Sequence, residues 1–307
     1  MRRILTPEGL FIHDRNSGLC VFTPEVKSNM WTKPLHAQIA VTQKCNQRCW
    51  WCYSSLSQEK AQSWPLEELK KLITFLDSWR ILGIAFGGGE PFMYPHLEEI
   101  AEWTWNHTGL DVSVTTNGTA ASERQIGRLE GYVSEVRVSI RTPEVCSLLK
   151  KFLSRRFELG VNLLLFRGNT PILEEIVDRS MRLGVKDFLI NSFVAVGRGA
   201  KHREREPMRE DLIKLGTIIQ KFKDDVTFKV SGRLASELKA YADLNLIPFE
   251  GERRGRIIAV TADRKVKLSS LSQETYPYTK PEEIPEIYTR FTTVGGLEAS
   301  NLKLGLL

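Results

Sequence analysis

Apolar residues recur along this chain in two alternating rhythms: short β-prone runs, and longer stripes with helical spacing. Runs of strand character cover 37–42, 82–86, 110–116, 135–140, 160–166 and 187–194. Between them, Leu66, Leu69, Leu72, Ile73 and Leu76 fall on one helical face. Leu97, Ile100, Ala101 and Trp105 do the same, as do Leu173, Ile176, Val177 and Leu183. Helices are also predicted over 211–222 and 236–244. Ser63 is the expected N-cap of the first helix, with Pro65 and two glutamates in its first turn. Strands alternating with helices imply a parallel sheet. Two elements stand outside this alternation. Residues 9–13 and 19–22 read as an N-terminal β-hairpin, and 255–270 as a second hairpin turning at 262–264.

Composition narrows the class. The chain has 307 residues, 42% of them hydrophobic and 26% charged, which is ordinary for a globular protein. There is no apolar run of about 18 residues, so no membrane helix is expected. The opening, Met-Arg-Arg-Ile-Leu-Thr-Pro, lacks the apolar core of a signal peptide, and a cytoplasmic location is the default. The net charge of +6 fits solubility as well as an acidic partner, and nucleic acid is not an expected one. Three of the five cysteines are clustered, which is not a disulfide framework. Cys20 and Cys146 are isolated and read as buried apolar thiols.

The chemistry concentrates where strands end. Cys45, Cys49 and Cys52 follow the first buried strand with spacing C-x3-C-x2-C. Thiolates suit iron–sulfur clusters or zinc. A structural zinc wants four closed ligands, and no fourth lies nearby. The second strand runs into Gly87-Gly88-Gly89-Glu90-Pro91. Such glycines let backbone approach a ligand closely. A phosphate cradle is one reading of them, which the acidic residue disfavours. The third strand ends in Thr116-Asn117-Gly118, the fourth in Ser139-Ile140-Arg141, and the sixth leads to Val196-Gly197-Arg198-Gly199.

C-x3-C-x-aromatic-C, with Trp51 as the aromatic, resembles the radical S-adenosylmethionine (radical SAM) enzymes. Gly88-Gly89-Glu90 resembles the family's GGE, and Gly197-Arg198-Gly199 the close of its core domain in one large branch. The resemblance covers about residues 37–200. It implies a partial (β/α)6 TIM-like barrel with the N-terminal hairpin and a small C-terminal SPASM-like extension. The corresponding segments are 1–36, 37–205 (the barrel), 206–250 (a helical connector) and 251–307. It further implies that Cys45, Cys49 and Cys52 hold one [4Fe–4S] cluster whose open iron chelates S-adenosylmethionine (SAM). Reductive cleavage then yields a 5′-deoxyadenosyl radical that abstracts hydrogen from a substrate. Trp51, Gly88, Gly89, Glu90, Thr116, Asn117, Ser139, Arg141 and Val196 are the implied SAM-binding residues. Glu90 would meet the amino group. Arg141 stands where relatives have an acidic or related polar residue; it pairs with a carboxylate but cannot accept from ribose.

Relatives with this extension carry cysteines for auxiliary clusters; here the matching places are Glu252 and Ser269, and no cysteine follows Cys146. No auxiliary cluster is therefore expected. The extension favours a peptide or protein substrate, with a small-molecule substrate as the alternative and an external electron donor such as flavodoxin or ferredoxin. A non-catalytic metal-binding scaffold is the competing class, and the retained GGE argues against it. Asn162, Arg167, Asn191 and Phe193 are substrate-side candidates by position alone.

Overall fold

The computed structural model describes residues 2–6, 9–16, 19–24, 33–54, 61–239, 247–249 and 257–290. At the N-terminus, β1 (Arg2–Thr6), β2 (Gly9–Asp14) and β3 (Leu19–Pro24) form an antiparallel three-stranded sheet. The expected hairpin is thus a meander. Its first strand opens on two arginines and holds one short apolar pair, too little pattern to declare itself. Phe11 packs with Leu35 and Leu82 in a small cluster of its own. At the hairpin turn, Arg15 donates to the carbonyls of Trp105 and Thr108 (3.1 and 2.7 Å). A cation there also meets the negative end of a helix dipole.

Among the described residues the main sheet has eleven strands. In chain order they are β4 (His36–Thr42), β5 (Gly83–Gly88), β6 (Asp111–Thr116), β7 (Glu135–Ser139), β8 (Glu158–Leu165), β9 (Asp187–Ser192), β10 (Thr227–Ser231), β11 (Ile247–Phe249), β12 (Ile257–Val260), β13 (Lys265–Lys267) and β14 (Tyr276–Pro277). Strands β4 to β11 lie side by side in sequence order, all parallel. On the other side of β4, β12 pairs parallel to it, and β13 and β14 follow antiparallel. The sheet is open, with β11 and β14 at its edges. This is the mixed α/β, partial TIM-like architecture expected. The six strands read from sequence are present. The segment read as a helical connector also contributes β10 and β11, and the C-terminal hairpin extends the barrel sheet itself. In β10 only Phe228 and Val230 are apolar and buried, a signal too short to register as a strand.

The helices α1 (Leu66–Ser78), α2 (Leu97–His107), α3 (Glu123–Leu129), α4 (Thr170–Arg182), α5 (Arg209–Phe222) and α6 (Gly232–Lys239) connect these strands. Residues 284–290 form a further helix, α7. The α1 stripe behaves as the spacing requires: Leu69, Leu72, Ile73 and Leu76 are fully buried. Its N-cap is Pro65, not Ser63. Ser63 is held instead by Thr42, hydroxyl to hydroxyl at 2.7 Å, which ties the returning chain to the end of β4.

Alternation gives the sheet two unlike faces. Ala37, Ile39 and Val41, Val112 and Val114, and Val161, Leu163 and Leu165 face the helices and form the core. Gln38, Ala40, Ala85, Gly87, Ser113, Thr115, Ser139, Asn162 and Leu164 alternate with them on the concave face and are half-buried. The concave face is therefore mostly small or polar. At its lower end, Arg137 is 5% exposed and contacts Glu135 (2.5 Å), Asp187 (2.6 Å) and the Asn162 side-chain oxygen (2.8 Å). Lys229 adds a second ion pair to Asp187 at 2.6 Å. A Cβ on Gly160 would lie 2.6 Å from the Arg137 guanidinium, so the glycine leaves room for it.

Candidate functional site

The cysteine loop leaves the C-terminal end of β4 and is clamped at two places. The first clamp is the glycine turn after β5. Gly89 N–H donates to the Thr42 carbonyl and Glu90 N–H to the Lys44 carbonyl, both at 2.8 Å. Gly88 has φ +117°, and a Cβ there would sit 2.5 Å from the Thr42 oxygen. A Cβ on Gly89 would overlap the Lys44 carbonyl. These glycines thus allow two backbones to touch. The second clamp is the turn after β9. Arg198 N–H donates to the Cys52 carbonyl at 2.9 Å, and its guanidinium to the Cys49 carbonyl at 2.8 Å. Gly197 has φ +58°, and its missing Cβ makes room for the Tyr53 carbonyl.

Glu90 lies at the first clamp and is fully buried. Its carboxylate accepts from the Thr116 hydroxyl (2.5 Å), Asn117 N–H (2.8 Å) and Phe92 N–H (3.2 Å). Burial pushes its pKa up, against those hydrogen bonds and the charge of Arg141. The Asn117 amide donates to the Asn46 side chain at 2.9 Å, inside the cysteine loop. Thr116 and Asn117 therefore orient Glu90 and the loop. Ser139 is half-buried at the end of β7, in register with Asn162. Val196 is half-buried immediately before the second clamp.

Trp51 is half-buried; its ring stacks near Phe166 (6.5 Å) and lies under the Arg141 guanidinium (5.3 Å). Trp50 packs edge-on against Phe166, Phe193 and His202, with Arg205 over its ring. Phe193, a substrate-side candidate from sequence, is 2% exposed and packs this cluster instead. Asn46, Trp50, Phe166 and the guanidinium contact of Arg198 were not singled out in the sequence. The Gly-Arg-Gly turn was the available signal for Arg198; Phe166 was readable as the end of an alternating strand.

Cys45, Cys49 and Cys52 are half-buried free thiols. Burial raises the pKa of Cys45 and of Cys49, and their neighbouring cysteines add to it. Arg141 opposes this, and its charge acts on Cys45, Cys49 and Glu90 alike. Among the described residues no three His, Cys, Asp or Glu side chains close on a point that one ion would fill. Thiolates that each meet a different iron of a cube have no such requirement. Three thiols on one loop, beside a cation and a buried carboxylate, fit a cluster with one iron left to another ligand. Cys146 is a buried free thiol, 3% exposed, as expected.

The radical SAM superfamily profile matches residues 39–212, more than half of the chain. The chain belongs to the radical SAM superfamily. Members are enzymes that use a [4Fe–4S] cluster and SAM. The antilisterial bacteriocin subtilosin biosynthesis protein AlbA of Bacillus subtilis is 26% identical over 219 residues, covering 64% of this chain and 49% of AlbA. GTP 3′,8-cyclase of Chlorobaculum tepidum is 29% identical over 164 residues, covering 53% and 50%. The chain thus spans about half the length of these curated relatives. In fold it is similar to Streptococcus suis SuiB bound to SAM: TM-score 0.69, 15% identity, 88% of this chain and 69% of SuiB. It is also similar to anSMEcpe with bound AdoMet and a peptide: TM-score 0.59, 14% identity, 83% and 80%. No helix among the described residues is long and apolar enough to cross a membrane.

Proposed function

We propose that this radical SAM enzyme modifies a peptide or protein substrate held against the concave face of the sheet. Cys45, Cys49 and Cys52 would hold the cluster. Glu90, with the Gly88 and Gly89 backbone, would hold the amino group of SAM, and Arg141 its carboxylate. Trp51, Ser139 and Val196 would line the SAM site, while Thr116 and Asn117 keep Glu90 in place. When bound, the cluster and SAM supply a 5′-deoxyadenosyl radical for hydrogen abstraction. The chain's own part is to place a C–H bond there and keep water away.

The observation that carries this reading is the joint position of the thiols, Glu90 and Arg141 at the C-terminal ends of the strands. The peptide class is supported by the neighbours. SuiB is solved bound to the precursor peptide SuiA, anSMEcpe with peptides, and AlbA is named for bacteriocin biosynthesis. The hairpin β12–β13 would be the SPASM-like element. Glu252 lies outside the described residues, and Ser269 stands two residues beyond β13. With no cysteine after Cys146, reduction would come from an external donor such as flavodoxin or ferredoxin. Free thiols suit a reducing compartment such as the cytoplasm.

Anaerobic reconstitution followed by a 5′-deoxyadenosine assay tests the reading. Cleavage, with a mass change in short peptides encoded beside its gene, is the expected result. Consumption of GTP instead would favour the small-molecule reading that the cyclase relatives suggest. Iron well above about four per chain would overturn the single-cluster expectation. A tightly bound zinc without cleavage would sink the enzyme.

A further inference from the structure

Lys267 is 7% exposed, among the most buried charged side chains of the chain. Its Nζ donates to the Ser270 carbonyl at 3.1 Å. Among the described residues no carboxylate pairs with it. Its neighbour Lys265, by contrast, is matched by Asp263 at 2.7 Å. Lysine is almost never this buried unless paired, because an unpaired ammonium loses several kcal/mol of hydration. One carbonyl dipole is a partial substitute. Burial accordingly lowers its pKa.

Register places this cation. Lys267 pairs with Ala259, and Ala259 with Gln38 of β4. Cross-strand partners share a face. The alternate residues Ile39, Ile258, Val260 and Val266 belong to the helix-side core, so Lys267 lies on the concave face. On that face its cross-strand neighbour is Ala259, with Gln38 at the same level one strand further on. The other concave-face cations near the floor, Arg137 and Lys229, are already matched by Glu135 and Asp187.

We propose that Lys267 is a substrate anchor: it takes one carboxylate group of the substrate, below the cysteine loop. This rests on the concave face being the substrate side. One cation with no carboxylate partner among the described residues balances one negative charge, which suits a carboxylate; a polyphosphate would need several cations. Lys267 is level with Gln38, four residues before Thr42 and two strands to the side, so the anchor is about 16 Å from the end of β4. An extended peptide covers that distance in about five residues. The acidic group would therefore stand about four to five residues from the position that reacts.

The test is calorimetric binding to the full chain, wild type and Lys267→Met. The probes are N-acetyl-Ala-Ala-Ala-Glu-amide, its Gln counterpart, glutarate and inorganic phosphate. We expect the Glu peptide to bind wild type at least about tenfold tighter than the Gln peptide, and K267M to lose that preference. Glutarate matching the Glu peptide would keep the carboxylate site and assign it to a small acid. Equal binding of Glu and Gln peptides, no binding of either acid, or a Lys267-dependent preference for phosphate would each overturn the proposal. If K267M fails to fold, Lys267→Gln supplies the same comparison. SAM cleavage by the same wild-type preparation separates the readings. No cleavage sinks the enzyme whatever Lys267 does; cleavage without Lys267-dependent binding sinks the anchor alone.

Discussion

At the lower end of strands β7 to β10, Arg137, Lys229, Glu135 and Asp187 neutralise one another within hydrogen-bond distance. At the upper end of the same sheet, three thiols, Arg141 and Glu90 share a mouth, and among the described residues no salt bridge joins Arg141 to Glu90. The lower end is closed on itself, as a stabilising floor should be. At the upper end the loop backbone is tightly clamped, while charge is left for something else to complete. A rigid frame around incomplete chemistry is what a cofactor site needs, because orientation must exist before the ligand arrives. The difference teaches where to look for function on a sheet whose two ends are both rich in charge.

Substitutions should separate the two ends. The largest effect is expected from Cys49→Ala, which should reduce iron from about four per chain to a small fraction and abolish SAM cleavage, with the far-ultraviolet circular dichroism unchanged. Arg137→Met should act oppositely. It leaves Glu135 and Asp187 without their buried partner and should cost about 3–5 kcal/mol in denaturant unfolding, while the folded fraction still binds iron. A loss of iron stoichiometry in that folded fraction would break the contrast.

Gly89→Ala should push the Lys44 carbonyl away and lower SAM cleavage by about 100-fold. Gly87→Ala, whose Cβ enters open space, should change it by less than about twofold. Equal effects would mean that close backbone contact is not what the glycine turn provides.

The smallest effect concerns Asp111, whose pKa burial pushes up to about 6 beside His13 (4.0 Å). A carboxyl whose folded pKa exceeds its unfolded value loses stability as pH rises from about 4 to 6. Asp111→Asn should therefore stabilise by about 2 kcal/mol at pH 7 and change little at pH 3.5. Thermal unfolding at the two pH values measures this, and an equal shift at both would refute it.

Much of the site was legible because its residues are local in sequence. The cysteine spacing, the Gly-Gly-Glu turn and the strand-to-loop position of each depend on periodicity and on ligand chemistry, which a linear chain displays. The same holds for the six parallel strands, whose apolar runs are long. The short strands β10 and β11 were not legible, because pairing with a neighbour, and not their own pattern, makes them strands; β12 and β13 were read as a hairpin, but their place in the barrel sheet was not. The N-cap role expected of Ser63 failed for a related reason: its hydroxyl found Thr42, 21 residues away in sequence, which local preference does not register.

By itself the sequence determined the family and the alternation of strand and helix. Only the tertiary structure decided which polar groups are already satisfied. Thr116 and Asn117 turned out to hold Glu90, and Phe193 to pack Trp50. Lys267 turned out to be buried with no carboxylate partner among the described residues. The physical reason is that a side chain's type states which bonds it is able to make. Whether those bonds are spent within the protein or kept for a ligand depends on neighbours that folding brings from elsewhere in the chain.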